Sequence, residues 1–287
     1  MPAPTTNSNV TRAIAQTAQY IQEKWTREVE KPFYRALQAA KLVQRRDGLV
    51  ANGGDVINVP FLAQIDARAK AASTDVTYDS PEGTPITINI DKHYYSAVKI
   101  EKIAEVQSSY ELRNMFQEAQ AEAVARQIDT DLLGLYGSAS NTVTGGATVD
   151  DADILAVVAY FDAANVPMSE RRGIIGANTK NDLLNVNKYV AYDQTGKTGK
   201  AVDGSSGLVS EVYGMDMYMS QNVPTSTTGR NLFFHKKAIS LAEQLKPSYM
   251  IEPSVDSIAT KTVLHAIYGV GVERAGSMVQ LTRTTAP

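Results

Sequence analysis

The residues best equipped for chemistry in this 287-residue chain fall into a few groups, and each group lacks something that its chemistry needs. Gly196-Lys197-Thr198 has the ending of a phosphate-cradling loop. Such a loop also requires a glycine five residues before Gly196, where Ala191 stands, and a helix opening at the Lys-Thr pair. Gly199-Lys200-Ala201-Val202-Asp203-Gly204 follows instead, and the segment reads as a surface loop. Gly269 and Gly271 begin a dinucleotide fingerprint, but the next glycine, Gly276, comes two positions late and the segment reads as strand. Gly204-Ser205-Ser206-Gly207 does not place a glycine two residues away on both sides of a serine, as a nucleophile elbow must. His93, His235 and His265 share no ligand-type spacing and read as strand-face or packing residues. Asp150, Asp151 and Asp153 could hold a cation, although a helix N-terminus explains the same three carboxylates. No nucleophile, base and orienting group come together. The expectation is a chain with no catalytic, cofactor-binding or metal-ligating residue and no cofactor, and one that is not an enzyme.

Composition points the same way. The absence of cysteine excludes disulfides, thiolate metal sites and a cysteine nucleophile. A net charge of −3, from 28 basic and 31 acidic side chains, argues against a wholesale nucleic-acid coat. Charge is unevenly distributed: residues 1–50 hold eight Lys/Arg and four Asp/Glu, a local +4, so the remaining 237 residues carry −7. Lys41-Leu42-Val43-Gln44-Arg45-Arg46 suits contact with nucleic acid or an acidic partner, and it equally suits a solvated helix end where cations oppose the dipole. The first nine residues are polar, with no basic and apolar signal pattern, and no apolar run approaches the roughly 20 residues that span a bilayer. We therefore expect no membrane contact and a cytoplasmic site of synthesis and assembly. Fourteen tyrosines beside one tryptophan suit protein–protein contacts, and also suit strands of any α+β domain.

The elements that would position these residues can be read from periodicity. Val10, Ile14, Ala18, Ile21, Trp25 and Val29 recur at helical spacing until Pro32, and Phe33, Leu37 and Ala40 continue a shorter stripe. Val56 to Val59 is a short β run ended by Pro60, and Ile86, Ile88 and Ile90 alternate with polar residues as a half-buried strand. Residues 62–85 between them show neither period and form a long loop, so the segment predicts a protruding hairpin arm. A second alternating run, Tyr94 to Ile100, follows. Residues 104–136 form the strongest predicted helix, with Leu112, Met115, Phe116, Ala119, Ala123, Ile128, Leu132 and Leu135 inward and Asp129 and Asp131 among the outward charges. Gly137 to Gly146 reads as a loop. Residues 150–231 read as α/β. Their elements are a helix carried by Leu155, Val158 and Phe161, a strand at Gly173–Gly176, a helix capped by Asn178-Thr179, a mobile loop over 191–208 and a strand from Val212 to Met219. The last part mixes a strand at Leu232–Phe234, an apolar helical piece at Ile239-Leu241-Ala242, and strands near 262–270 and 278–283.

Five segments, in this order, resemble the major capsid proteins of tailed bacteriophages, the Hong Kong 97 fold. They are Gly54-Asp55-Val56-Ile57-Asn58-Val59-Pro60; Arg172-Gly173-Ile174-Ile175-Gly176-Ala177-Asn178 with Leu183-Leu184; Val212 through Ser220; Phe234-His235-Lys236-Lys237-Ala238-Ile239-Ser240-Leu241-Ala242; and Tyr268-Gly269 through Arg274 with Met278-Val279. The resemblance implies an α+β fold. Its parts would be an N-terminal arm (1–50), an extended β-hairpin loop (51–102), a peripheral domain with a long spine helix (103–149 and 232–287) and an α/β axial domain (150–231). It implies a structural subunit that assembles with itself through pentamers and hexamers into an icosahedral head. Expected partners are scaffolding, portal and decoration proteins, and double-stranded DNA held by non-specific contact. The expected location is the virion, assembled in a bacterial cytoplasm. A separate scaffold, or none, is expected, since no long scaffolding segment is read at the N-terminus. The encapsulin shells of cellular nanocompartments share the fold and are the alternative, with another virion component as a further one.

Overall fold

The computed structural model describes residues 37–50, 53–61, 65, 67–78, 83, 85–103, 112–186, 208–224 and 228–284. The helix expected over Val10–Val29, the Gly196-Lys197-Thr198 loop and the Gly204–Gly207 segment lie outside them. In chain order the described elements are α1 (Ala39–Leu42), β1 (Gln44–Arg45), β2 (Val56–Val59), β3 (Ile86–Asn89), β4 (Lys92–Glu101), α2 (Leu112–Leu133), β5 (Asn141–Thr144), α3 (Asp151–Ala163), β6 (Arg171–Ile175), α4 (Ala177–Leu184), β7 (Leu208–Val212), β8 (Met215–Met219), β9 (Gly229–His235), β10 (Ile239–Ser254), β11 (Ala259–Val272) and β12 (Met278–Arg283).

Three sheets result. Long antiparallel strands β10, β11 and β4, with β1 parallel to the start of β10, form one in the order β1-β10-β11-β4. A six-stranded mixed sheet runs β5-β12-β9-β6-β8-β7, and β2 pairs with β3 in a two-stranded ribbon. Alternation along the central strands of the six-stranded sheet sends neighbouring side chains into different cores. Leu232 and Phe234 of β9, Ile174 of β6 and Met278 of β12 face α2 and the long sheet. Phe233, Ile175 and Val279 face the opposite way, toward Ile154, Val157 and Phe161 of α3 and Leu183 of α4. A sheet buried on both faces reads as continuous apolar text, which is why Leu232-Phe233-Phe234 shows no alternation.

Helix α2 has 22 residues, about 33 Å at 1.5 Å per residue. Its buried residues are Gln120, Val124, Ile128, Asp129, Leu132 and Leu133, while Phe116 of the expected stripe is exposed. Asp129, expected to face outward, is fully buried. It accepts the backbone N–H of Ala39 (2.7 Å) and the hydroxyl of Ser220 (3.4 Å), and so satisfies a donor at the first turn of α1. Asp131, also expected outside, accepts the phenol of buried Tyr268 at 2.7 Å and pairs with Lys92 at 3.4 Å. Gln120 donates to the carbonyls of both Ser96 and Thr262, which ties the helix to β4 and β11.

Several other expectations are corrected. Residues 239–242 open strand β10 rather than a helix; all four are buried, so no alternation marks them as strand. Val212–Met219 is not one strand but the end of β7, a turn and β8, with the turn made by Tyr213 (φ 50°) and Gly214 (φ 75°), the left-handed pair that a tight hairpin turn needs. Residues 141–144, expected in a loop, form strand β5 along the edge of β12. The core face of α3 is Ile154, Val157 and Phe161, with Leu155 exposed. Helix α4 begins at Ala177 after Gly176, so Asn178 and Thr179 lie inside it.

The ribbon β2–β3 crosses the long sheet over a glycine track. A Cβ on Gly269 would sit 2.3 Å from the carbonyl oxygen of Asn89, and one on Gly271 would sit 2.8 Å from Ile88 Cγ1. Val50, Ile57, Ile88 and Ile90 pack there against Ala242 and Ile267. Any side chain at position 269 meets backbone that cannot rotate away, so Gly269→Ala is expected to destabilise the fold by about 1–3 kcal/mol, read as a lower denaturant midpoint.

Asp129 makes a second prediction. Burial pushes its carboxyl above the usual carboxylate range, against the lowering effect of its hydrogen bonds. A raised native pKa means that its contribution is fully present below the unfolded-state value, about 3.9, and is lost as pH rises through the native one. Asp129→Asn keeps an acceptor for Ala39 and cannot ionise, so its midpoint should gain on the wild type as pH rises toward neutrality. Asp129→Ala should instead cost about 1–3 kcal/mol by orphaning the Ala39 N–H. A pH series of denaturant titrations on the three proteins checks both.

Candidate interaction surfaces

The carboxylates that could have held a cation are occupied with folding. Asp150 and Asp153 form a reciprocal capping box at the start of α3, with the Asp150 N–H donating to Asp153 at 3.0 Å, and Asp151 accepts the phenol of Tyr213 at 2.6 Å. His235 is buried at the end of β9, where its Nδ1 accepts the N–H of Lys237 at 3.2 Å. Burial is the main cause that lowers its pKa. His93 and His265, 172 residues apart in sequence, meet on the exposed face of the long sheet. Gly269 and Gly271 are sites of close packing rather than of cofactor approach. Among the described residues no three His, Cys, Asp or Glu side chains converge as a metal site.

A cleft of about 260 Å³ opens at the start of α4, between Gly176, Thr179, Ser220, Val223, Asn231 and Arg283. Two of its polar side chains serve the fold. Asn231 accepts the Gly176 N–H (2.9 Å) and donates to the Leu281 carbonyl, while Arg283 pairs with Asp182 at 2.6 Å. It holds no assembled acid, base or nucleophile.

The basic segment Lys41–Arg46 divides: Lys41 is exposed in the last turn of α1, the position where a cation opposes the helix dipole, and the two arginines lie beyond it. Helix α1 stops at Leu42, and β1 with the turn after it lays Arg45 and Arg46 beside internal carboxylates. Arg45 bridges Asp47 (2.9 Å) and Glu243 (2.6 Å), and Arg46 makes a two-pronged contact with Glu273, both bonds 2.9 Å. Both guanidinium pKa values are raised, by the bond to Glu273 in Arg46 and by the Asp47 and Glu243 carboxylates outweighing burial in Arg45. The other N-terminal cations, Arg12, Lys24, Arg27, Lys31 and Arg35, lie outside the described residues.

What the surface does offer is exposed apolar chain. The base of the β2–β3 arm is anchored: Gln244 donates to the Gly54 carbonyl (2.9 Å), Ile90 donates to that of Asp55 (2.8 Å), and Arg274 lies over the ring of Phe61. Beyond that base the described residues 65 and 67–78 have neither helix nor strand, and every one is exposed. Ile65, Val76 and Tyr78 are among them, Tyr78 at 90%. A second exposed apolar group caps the β10–β11 hairpin, where Met250, Ile251, Val255 and Ile258 face solvent. Strand β4 closes one side of the long sheet with an edge that no other described strand covers, and such an edge offers a row of unpaired backbone groups. The sequence hinted at the arm through its length and missed its apolar content, because isolated Ile65, Val76 and Tyr78 carry no period.

No family model and no curated protein matches the sequence. Solved structures do. A chain of Mycobacterium phage Che8 superposes with a TM-score of 0.79 at 22% identity, over 93% of this chain and 98% of that one. The capsid structure of the cyanophage P-SCSP1u gives 0.71 at 18% identity, over 94% of each chain. The mature capsid of bacteriophage PhiM1 gives 0.73 at 13% identity, over 93% of each. The chain has the Hong Kong 97-like fold of phage capsid subunits. In this Hong Kong 97-like chain the arginines at the end of the N-terminal segment are part of the subunit's own structure. Arg46→Ala, which strands a mostly buried Glu273, should therefore lower the unfolding free energy of the isolated subunit by about 1–3 kcal/mol. Chemical denaturation of the variant measures it.

Proposed function

We propose that the chain is the major capsid protein of a tailed double-stranded DNA bacteriophage. Copies of it associate through pentamers and hexamers into an icosahedral head around the genome. What carries this reading is the exposed arm: an anchored ribbon ending in a fully exposed segment with outward apolar residues, on a chain whose fold matches phage capsid chains almost end to end. A lone soluble subunit gains nothing from holding Val76 and Tyr78 in water, whereas a neighbour's surface would bury them. Heterologous contacts of this kind close into rings when the rotation between copies allows it. Each contact can be weak, since many act together once a lattice has formed.

In this reading residues 1–50 form the N-terminal arm, 51–102 the extended loop, 103–149 with 232–287 the peripheral domain and 150–231 the axial domain. The remaining positive charge of the first 50 residues would face scaffold or genome. Scaffolding, portal and decoration proteins would be its other partners, and the virion its location. No helix among the described residues is long and apolar enough to cross a membrane.

Deleting residues 62–85 tests the proposal. The shortened chain should stay soluble and keep the circular dichroism of the parent, while electron microscopy of the expressed protein finds no closed shells. Normal particles from the deleted chain would overturn the role of the arm. Persistent monomers from the intact chain, expressed with its neighbouring genes, would overturn the capsid reading itself.

A further inference from the structure

The register of β4 against β11 places His93 opposite Ile267, so that His265, two residues along on the same face, is its diagonal neighbour. His93 Nε2 and His265 Nδ1 lie 3.3 Å apart, with the rings edge-on at 63°. Imidazole nitrogens bind a tetrahedral ion at about 2.0–2.1 Å, which puts two of them about 3.3–3.4 Å from each other. The pair already has that separation.

A third member of the cluster engages the far nitrogen of His265. His265 Nε2 lies 3.3 Å from the hydroxyl of Ser248, its partner across β10. With Nε2–H donating to Ser248, the lone pair of His265 Nδ1 points toward His93. A ligating histidine is commonly held in this way, its other ring nitrogen donating to a fixed acceptor. The opposite face of the sheet is closed by Gln120 of α2, whereas His93 is on the open side, where water can complete a coordination sphere. By alternation the same face carries Tyr95 and Lys99 on β4, Lys261 on β11 and Glu252 on β10, with Asp91 just before β4.

We propose that His93 and His265 form a two-histidine seat for one borderline divalent transition-metal ion, such as Ni²⁺, Zn²⁺ or Cu²⁺, with Ser248 orienting His265. Imidazole selects this class over Mg²⁺ and Ca²⁺, which prefer oxygen. Metal binding releases protons from its imidazole ligands, so it weakens as the pH falls.

Isothermal titration of the tag-free full chain with NiCl₂, at about pH 7.5 and again at about pH 5.5, provides the test. One ion should bind per chain at the higher pH and much more weakly at the lower. Ser248→Ala should weaken binding by about tenfold without changing the stoichiometry. His93→Ala and His265→Ala should each remove the site. His93 is the exposed member, so His93→Ala decides alone if the half-buried His265 variant does not fold. Unchanged affinity in His93→Ala, or no saturable binding at the higher pH, overturns the proposal and leaves the pair as an ordinary N–H···N hydrogen bond.

Discussion

Strand β11 is held from every side at once, and the rest of the molecule is arranged around that fact. Its edges pair with β10 and β4 along most of its 14 residues. Leu264, Ala266 and Tyr268 on one face pack into the core that α2 shares with the six-stranded sheet. Gly269 and Gly271 admit the β2–β3 ribbon to within contact of the backbone. Long helix, long sheet and arm therefore share one strand, and the place where the arm leaves the body follows from where β11 has no side chains.

The second organising element is the polar stitching of α2. Asp129, Asp131 and Gln120 are all on the helix, and between them they reach α1, the phenol of Tyr268 on β11, and the carbonyls of β4 and β11. Buried polar groups of this kind cost desolvation and are tolerated when each finds a partner. They also fix one register of helix against sheet, which the small apolar side chains of the stripe would leave loosely specified.

Much of the fold was legible in the text, and the exceptions have physical causes. Strands with one wet face, such as Ile86–Asn89 and Tyr94–Ile100, announce themselves by alternation. Strands buried on both faces do not, and the opening of β10 imitates a helix for that reason. Asp129 misleads because a charge is expected outside, and only the tertiary position of Ala39 shows why it is inside. Tyr213-Gly214 carried a turn signal in the glycine, yet the apolar residues on both sides masked it as one strand. The helix start at Asp150–Asp153 was readable because the acidic residues and the helix they open are local. The His93–His265 pair was not, since it exists only through strand register across 172 residues. The order of the five segments did what no single motif could: it indicated the architecture that the superpositions then showed.

One of the two contacts that seat the arm is made with a carbonyl oxygen rather than with a side chain. Asn89 touches position 269 through its backbone, so the side chains of the ribbon are not read at that point. Substitution at the outward positions of β3, Thr87 and Asn89, can then alter what the arm presents without altering the angle at which it departs, whereas Ile88 packs on Gly271. The direction of the limb and the chemistry of its surface are separate inheritances, free to diverge at different rates. The demand for the missing side chain falls on two glycines in the body of the subunit, far along the chain from the segment whose path they set.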